Sequence, residues 1–255
     1  GTWQITDKKA ACSVMAFNHG SNVVIDNVTI ISNYQSHAIE LIAMKNTTVK
    51  NSTLKVQGKK DKNSVEDALQ IDVAAPKTAP VLAQYGRKFV NGQTCKNIKI
   101  LNNTIEGSRG VCANYAASDG KKYRNKFHEK IIIKGNKLTG YSAEGCTLYN
   151  TLSAVVKNNV ITTHSTRKNE SYSVGLNITI QGKTSGKKMN KSKITVANNT
   201  VYGYRQGIQV VTRSSSRYKN VSLKGNKAYA SSRGNAIVTS GNRSVKKANN
   251  KMYKR

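Results

Sequence analysis

Short runs of alternating apolar and polar residues recur along the whole chain, each ending in an Asn- or Gly-rich turn that leads into another short run. Examples of this first phrase are NVVIDNVTII from Asn22 and KIIIKGNKLTG from Lys130. A second phrase follows, with a small residue, an apolar residue and strict alternation, as in HAIELIA from His37 and DALQIDVA from Asp67. Alternation with a period of two predicts β-strands, and no stretch keeps the 3.6-residue period of an amphipathic helix.

The two phrases together form a unit that is repeated seven times. Strands this short cannot bury their apolar faces alone, so the units must stack and bury them against one another. We therefore predict an all-β fold, a right-handed parallel β-helix (solenoid) of about seven or eight rungs. It would form a single domain over residues 1–255. The start, Gly1-Thr2-Trp3, is typical of a first rung, so we expect an N-terminal cap or flanking domains to lie outside this chain.

Asparagine recurs at the turn inside the first phrase. The residues are Asn51, Asn102, Asn103, Asn136, Asn158, Asn159, Asn198, Asn199 and Asn226. Asn tolerates the left-handed backbone that a sharp corner needs, and stacked Asn side chains can bond to their copies in the rungs above and below. We therefore predict an asparagine ladder at this corner.

Extra residues between the phrases predict loops along one side of the solenoid. The longest insertions are residues 75–96 and 118–129, and shorter ones are residues 59–65, 163–171 and 182–191. Insertions in a solenoid usually form the walls of a binding groove.

The chain is strongly basic. It has 42 Lys and Arg against 12 Asp and Glu, a formal charge of +30 at pH 7. Self-repulsion of this size favours a polyanionic partner such as an acidic polysaccharide or an anionic cell surface, although a Lys-rich secreted protein could carry it for solubility alone. No apolar run approaches the length of a membrane span, so we expect no membrane insertion.

The four cysteines, Cys12, Cys95, Cys112 and Cys146, lie far apart and form no C-x-x-C pair. This spacing argues against a zinc site or a redox motif. It leaves open one or two disulfides or a set of small buried thiols.

Aligning the second phrases on their small residue predicts which side chains point outward from the same sheet. The first column is Glu40, Gln70, Cys112, Thr147, Asn177 and Gln209. The second column is Ile42, Asp72, Asn114, Tyr149, Thr179 and Val211. The third column is His37, Asp67, Arg109, Glu144, Val174 and Gln206.

Acidic residues concentrate on these columns, although they are scarce elsewhere. Glu66, Asp67 and Asp72 share one short phrase, and Glu40 and Glu144 fall on the columns beside them. Like charges stacked this closely are costly unless a metal, a substrate or a shared proton relieves the repulsion. This cluster is the strongest candidate for a functional site.

Two chemistries fit the cluster. In the first, Glu40 and Asp72 form a carboxylate pair that acts as acid and as base or nucleophile on a glycosidic bond. His37 and Asp67 would then position the substrate, and Tyr149 would offer a face for a sugar. In the second, Glu40, Asp67 and Asp72 hold Ca²⁺, while Arg109 or a nearby Lys removes a proton for β-elimination. A ladder-bonded or solvated acidic patch on a binding scaffold would explain the same residues without catalysis.

Two phrases within this pattern carry a family resemblance, His37-Ala38-Ile39-Glu40 and EDALQID at residues 66–72. Together with the Asn-rich solenoid they resemble the right-handed parallel β-helix proteins of the pectate-lyase-like class, in particular secreted or surface carbohydrate-active proteins of gut and rumen bacteria. The resemblance covers the whole chain as architecture but only these two phrases as a site. It implies carbohydrate as the ligand. The chain lacks the Asn-Thr-Asp, paired-Asp, His-Gly and Arg-x-Lys motifs of polygalacturonases and the complete calcium and arginine set of pectate lyases, and a fold alone does not set a function.

We therefore expect a secreted or cell-surface enzyme, monomeric, that cleaves glycosidic bonds in an acidic polysaccharide. A hydrolase is preferred to a lyase because no Lys or Arg is clearly placed as the base. The predicted catalytic residues are Glu40, Asp67 and Asp72, and the predicted substrate-binding residues are His37, Gln70, Arg109, Asn114, Glu144 and Tyr149. A hydrolase would need no cofactor, and a lyase would need Ca²⁺. The alternative is a non-catalytic surface module that binds anionic glycan or cell wall; no motif for specific nucleic-acid recognition occurs.

Overall fold

Every strand pair of the computed structural model, which describes residues 1–33, 35–57, 66–168 and 171–255, is parallel. Each strand hydrogen-bonds to the strands three places earlier and later in the chain, so three sheets form side by side. We call them sheets A, B and C, in the order in which the chain visits them. One circuit of the chain adds one strand to each sheet.

The strands, numbered in chain order, are short throughout. Sheet A consists of β1 (Thr2–Gln4), β4 (Thr29–Asn33), β7 (Thr53–Gln57), β10 (Thr104–Gly107), β13 (Lys137–Gly140), β16 (Val160–Thr163), β19 (Thr200–Tyr202), β22 (Lys227–Ala230) and β25 (Lys251–Lys254). Sheet B consists of β2 (Met15–Asn18), β5 (Ile39–Ile42), β8 (Asp67–Asp72), β11 (Arg109–Ala113), β14 (Cys146–Tyr149), β17 (Val174–Ile180), β20 (Gln206–Thr212) and β23 (Ile237–Ser240). Sheet C consists of β3 (Val24–Asp26), β6 (Lys45–Lys50), β9 (Lys96–Leu101), β12 (Glu129–Lys134), β15 (Ser153–Lys157), β18 (Lys193–Ala197), β21 (Asn220–Lys224) and β24 (Val245–Ala248).

This arrangement is a right-handed parallel β-helix. Within the described residues, eight complete circuits of three strands run from β1 to β24, and β25 begins a further one. The predicted fold class and the predicted seven or eight rungs are therefore confirmed. The first phrase of the sequence corresponds to a strand of sheet C, a corner and a strand of sheet A, and the second phrase corresponds to a strand of sheet B.

The core of the helix is made by side chains that point inward from all three sheets. In sheet B, Ile39, Leu69 and Val111 lie side by side on adjacent rungs and have no solvent exposure. Burying a side chain of this size stabilises the fold by about 1.5–3 kcal/mol. Because each rung meets only its two neighbours, the apolar stripe must recur in every rung for the stack to continue.

The corner between sheets C and A carries the predicted asparagines in two different roles. Its first position has a left-handed backbone, with φ of 51° at Asn51, 55° at Asn102 and 56° at Asn158. Glycine takes this position at Gly135 and Gly225, where φ is also positive. Asn and Gly are the residues that adopt this conformation at least cost, which explains why the turn repeats them.

The second corner position forms the asparagine ladder. It runs through Asn103, Asn136, Asn159, Asn199, Asn226 and Asn250. The Nδ2 of Asn136 donates to Asn159 Oδ1 at 3.0 Å, and the Nδ2 of Asn159 donates to Asn199 Oδ1 at 2.9 Å. These amides lie inside the corner, where an unpaired polar group would be costly, and each satisfies its neighbour. The predicted ladder is therefore confirmed.

Among the described residues, helical turns are few, and most of them lie in or next to the insertions. The helices are α1 (Pro80–Ala83), α2 (Lys121–Arg124) and α3 (Gly186–Met189), and the 3₁₀ turns are Arg87–Phe89, Ala117–Asp119, Ser171–Ser173 and Arg233–Asn235. The long insertion at 75–96 packs a small apolar cluster of its own, with Leu82 and Val90 against Ile42. The predicted insertion at 59–65 lies outside the described residues, as do residues 169 and 170 of the insertion at 163–171.

All four cysteines are free thiols. Cys95, Cys112 and Cys146 are buried and Cys12 is exposed, so the structure has the buried thiols that the sequence left open beside disulfides. No helix of the described residues has the length and apolar character needed to cross a membrane.

Candidate functional site

The outward columns of sheet B assemble in the register that the sequence predicts. Glu40 pairs with Gln70, and Gln70 with Cys112, on successive rungs. In the next column Asp72 follows Ile42, and Tyr149 is paired with Thr179. Asp67 pairs with Arg109 in the third column. The register follows from the inward positions, since a slip of one residue would turn the apolar side chains to the outside.

These columns are covered rather than open, which corrects the expectation of an exposed groove floor. Asp72 and Glu144 have no solvent exposure, and Asp67, Gln70 and Arg109 are also buried. Tyr172 forms part of the cover, because its ring lies 5.6 Å from the Arg109 guanidinium. The outward face of sheet B is therefore mainly a buried polar layer. Its partly exposed members are His37, Glu40, Asn114, Tyr149 and Gln206.

Glu40 and Asp72 form a carboxyl pair on adjacent rungs. Burial, the charge of Glu40 and a hydrogen bond with Glu40 hold the pKa of Asp72 well above its usual value of 3.8. Gln70 Nε2 donates to Asp72 Oδ2, while Asp72 Oδ1 accepts no hydrogen bond from the residues that the structure describes. Ser13 Oγ donates to Glu40 Oε2 at 3.2 Å. Asp72 therefore keeps its proton to a higher pH than a solvent-exposed aspartate does.

Arg109 joins the other two buried carboxylates. Its Nε donates to Glu144 Oε2 at 2.9 Å, and its Nη1 donates to Asp67 Oδ1 at 3.1 Å. Burial raises the pKa of Asp67, and the Arg109 charge opposes that rise. The two carboxylates in turn raise the pKa of Arg109 well above its usual value, against the effect of its own burial. In this ion triad a single guanidinium compensates the carboxylates of Asp67 and Glu144.

The polar layer continues up sheet B beyond the predicted residues. Asn177 Nδ2 donates to Glu144 Oε1 at 3.1 Å, and Gln209 Nε2 donates to Asn177 Oδ1 at 2.9 Å. Arg205 Nη2 donates to Gln209 Oε1 at 3.2 Å. The sequence placed Asn177 and Gln209 in the same column as Glu40 but gave them no role.

The remaining predicted substrate-binding residues lie at the edge of this layer. His37 Nδ1 is 2.9 Å from the backbone oxygen of Asp67. Asn114 Oδ1 accepts from the backbone of Tyr115, and the Tyr115 and Tyr149 rings contact each other at 5.0 Å. Burial raises the pKa of Tyr149.

His128 and Cys112, whose side chains are of types that often act in catalysis, are buried in the structure. His128 is buried, and its Nε2 lies 2.7 Å from the backbone oxygen of Asn114, with its pKa lowered by burial to about 4. Burial raises the pKa of Cys112 well above 9.0, which opposes formation of the reactive thiolate.

The three residues considered for Ca²⁺ do not converge on one point. Asp67 is bound to Arg109, whereas Asp72 pairs with Glu40. In the part of the chain that the structure describes, no three His, Cys, Asp or Glu side chains form a group that could hold a metal ion.

A second surface, on the outer face of sheet C, was not identified from the sequence. We call it the basic face, defined by Lys50, Lys99, Lys130, Lys134, Lys157, Lys193, Lys224 and Lys246. Lys134 and Lys157 lie directly beside each other on adjacent rungs. Among the described residues Lys50 alone of these forms an ion pair, with Asp26 at 3.0 Å. The signal in the sequence was the outward position of the first phrase, where Lys recurs as in KIIIKGNK.

Two shallow depressions lie side by side on the basic face. One has a volume of ≈ 180 Å³ and is lined by residues that include Lys130, Val155 and Lys193. The other has a volume of ≈ 270 Å³ and is lined by residues that include Lys193, Ser222 and Lys246. The shared Lys193 makes them neighbouring parts of one trough.

Comparison with known proteins identifies similar folds. A solved structure of PfbA, a surface adhesin of Streptococcus pneumoniae, is 17% identical over 94% of this chain, with a TM-score of 0.53. A second PfbA structure is 14% identical over 93% of this chain and 66% of that chain, with a TM-score of 0.47. This chain spans 62% of the first PfbA chain. No protein-family model and no curated protein sequence matches it. The first comparison supports what the strand order shows, that the chain folds as a parallel β-helix.

Proposed function

We propose that this chain is a non-catalytic, monomeric surface module that binds an anionic glycan or cell-wall polymer through its lysine-rich exterior. The observation that carries the proposal is the separation of charge between the sheets. Asp67, Asp72 and Glu144 are buried in the covered layer of sheet B, whereas the outer face of sheet C presents lysines to the solvent, and its carboxylates Asp26 and Glu129 are already ion-paired.

Few carboxylates remain to neutralise the exterior. Among the described residues, the ion-paired carboxylates are Asp26, Asp67, Glu106, Glu129 and Glu144. Asp72 is buried and is paired with Glu40. Like charges directly opposite each other in a sheet are destabilising, as at Lys134 and Lys157. A polyanion laid over the basic face would relieve this repulsion, and its own repeated charges would match the repeated rungs.

The similar fold of PfbA is consistent with this proposal, because PfbA is described as a surface adhesin. An adhesin needs a binding surface rather than a catalytic group. We therefore propose a cell-surface location for this chain as well.

The test is equilibrium binding of the purified chain to polygalacturonate and to a teichoic acid preparation, with dextran as the neutral control. We expect binding to both polyanions, no binding to dextran, and affinity that falls steeply as salt is raised, because exposed charges are screened. Absence of binding to any polyanion at low salt would overturn the proposal, as would binding that does not respond to salt.

A carbohydrate-cleaving enzyme is the second candidate, favoured by the Glu40–Asp72 pair with its raised Asp72 pKa. A raised carboxyl pKa is what a general acid requires. Two features weigh against it. The carboxyl groups of a glycosidase must reach the sugar on both sides of the scissile bond, whereas Asp72 is hydrogen-bonded to the buried Gln70. Asp72 is also closed off from solvent.

The enzyme hypothesis is tested by incubating acidic and neutral polysaccharides with the chain and measuring reducing ends and unsaturated-uronate absorbance. Turnover that disappears in the Asp72→Asn variant, with no lower melting temperature, would establish this candidate. Binding of polygalacturonate without either product signal would exclude cleavage of that polymer.

A further inference from the structure

The two depressions on sheet C belong to a single elongated trough with a regular construction. Its floor is one outward column, Ile132, Val155, Thr195 and Ser222, on four successive rungs. Lys99 continues this column at one end and Lys246 continues it at the other. The column is therefore apolar or hydroxyl-bearing in the middle and closed by a positive charge at each end.

Lysines also stand along both sides of the floor. One side column carries Lys130 and Lys193, with Ser153 between them. The other carries Lys134, Lys157 and Lys224, with Ala197 before the last. Each rung that contributes to the floor therefore places at least one ammonium group beside it.

The dimensions suit one extended polymer chain. Lys99 and Lys246 are five rung spacings of roughly 4.8 Å apart, which is roughly 24 Å. Lys130 and Lys134 are separated along one strand by four residues of about 3.3 Å each, which is about 13 Å.

The floor of the trough favours a ligand that has an apolar surface as well as negative charge. Val155 is 37% exposed, a large apolar side chain facing solvent amid lysines. A sugar ring presents an apolar C–H face and polar edges, so it can cover Val155 and Ile132 while its acidic groups reach the lysines on either side. Single-stranded nucleic acid is usually held by aromatic side chains that stack on the bases, and none of the four floor residues is aromatic.

We propose that this trough binds a linear acidic polysaccharide, with the sugar chain lying parallel to the helix axis and its carboxylates or sulfates on the flanking lysines. The inference rests on the proposed function and adds to it the site, the orientation and the class of polymer. It predicts that binding depends on particular lysines rather than on the total charge of +30.

The test compares two double variants that remove the same charge from adjacent rungs. Lys134→Gln with Lys157→Gln alters the trough, and Lys227→Gln with Lys251→Gln alters sheet A, where these lysines are also neighbours. With oligogalacturonates of graded length as the probe, we expect the trough variant to lose affinity on the order of tenfold and the control less than about threefold. Affinity for the wild-type chain should rise with oligomer length and level off near the trough length of about 24 Å.

A third variant, Val155→Ser, changes the floor without changing the charge. We expect it to weaken oligogalacturonate binding and to leave inorganic polyphosphate binding unchanged, because polyphosphate has no ring face. Circular dichroism and thermal unfolding of every variant establish that each is folded.

The outcomes separate this inference from the proposed function. Equal losses in the two double variants would overturn the trough while polyanion binding stands. Absence of oligogalacturonate and polyphosphate binding by the wild-type chain would overturn both. Tighter binding of a single-stranded oligonucleotide than of an oligogalacturonate of equal charge would overturn the polysaccharide assignment.

Discussion

Arg109 donates from Nε to Glu144 Oε2 at 2.9 Å, in a layer where the Glu144 side chain has no contact with solvent. A buried ion pair gains little over apolar packing, but breaking it leaves an uncompensated charge. Arg109 also compensates Asp67, so its loss would expose two buried carboxylates to that penalty. The triad therefore allows Asp67 and Glu144 to be buried in sheet B without an uncompensated charge.

The first prediction concerns this triad. We expect Arg109→Met to lower the free energy of unfolding by about 3–5 kcal/mol, measured by urea denaturation. The exposed pair of Lys50 and Asp26 provides the control, and Lys50→Met should leave the urea midpoint nearly unchanged. An Arg109→Met protein that unfolds at the wild-type urea concentration would show that the layer does not need this charge.

The second prediction concerns the pH dependence of stability. The folded-state pKa of Asp72 is raised, so the folded protein binds more protons than the unfolded chain above pH 3.8. The contribution of Asp72 to stability is therefore complete below its unfolded pKa and is lost as the pH rises through the folded pKa. Asp72→Asn should remove this loss and make the protein more stable than the wild type at neutral pH.

The measurement is the difference between the Asp72→Asn and wild-type unfolding free energies at a series of pH values. The pKa of His128 is lowered from 6.5 to about 4, so its contribution to stability rises with pH, opposite to that of Asp72. Because His128 is present in both proteins, its contribution cancels in the difference. A difference that stays constant with pH would refute the raised pKa.

The third prediction separates the two asparagines of one corner. Asn159 bonds through its side chain to the asparagines of both adjacent rungs, whereas the neighbouring Asn158 is exposed and has φ of 56°. We expect Asn159→Ala to lower the free energy of unfolding by at least about 2 kcal/mol, because it leaves buried amide groups without a hydrogen-bond partner. We expect Asn158→Gly to leave the free energy of unfolding nearly unchanged, because Gly adopts this backbone conformation readily. Thermal melts of the two variants make the comparison; equal losses would mean that the ladder adds nothing beyond the turn.

Much of the fold was predictable because a solenoid repeats its local rules. The same alternation defines the inward column in every rung, so aligning Ala38 with Ala68 was enough to place Glu40 beside Gln70. The asparagine ladder followed from the same regularity. The cover on the outer face of sheet B could not be predicted in this way, because Tyr172 lies in a segment that occurs once and follows no period.

The basic face was missed for a related reason. In the sequence, single lysines such as Lys157 and Lys224 are indistinguishable from ordinary solvent-exposed charges. Only the strand register shows that they lie in one column on the same face. The acidic cluster stands out in the sequence because Asp and Glu are scarce in the rest of the chain. The structure shows that Asp67 and Glu144 bond to Arg109, and that Asp72 accepts a hydrogen bond from Gln70.

The fourth prediction uses the cysteines. Cys12 is exposed, whereas burial raises the pKa of Cys95 to about 12 and also raises the pKa values of Cys112 and Cys146. We expect iodoacetamide to modify Cys12 alone in the native protein and all four thiols after denaturation. Mass spectrometry of tryptic peptides gives the result, and rapid native labelling of Cys112 would contradict the covered layer.

The central claim, that the chain binds a polyanion on sheet C, is tested most directly by lysine footprinting. The purified protein is acetylated with and without polygalacturonate, and the modification of each lysine is quantified by mass spectrometry. We predict protection of Lys134, Lys157 and Lys193 on the basic face, with Lys227 and Lys251 on sheet A modified as in the free protein. Uniform protection of both sets, or protection of neither while the polymer is bound, would contradict the account.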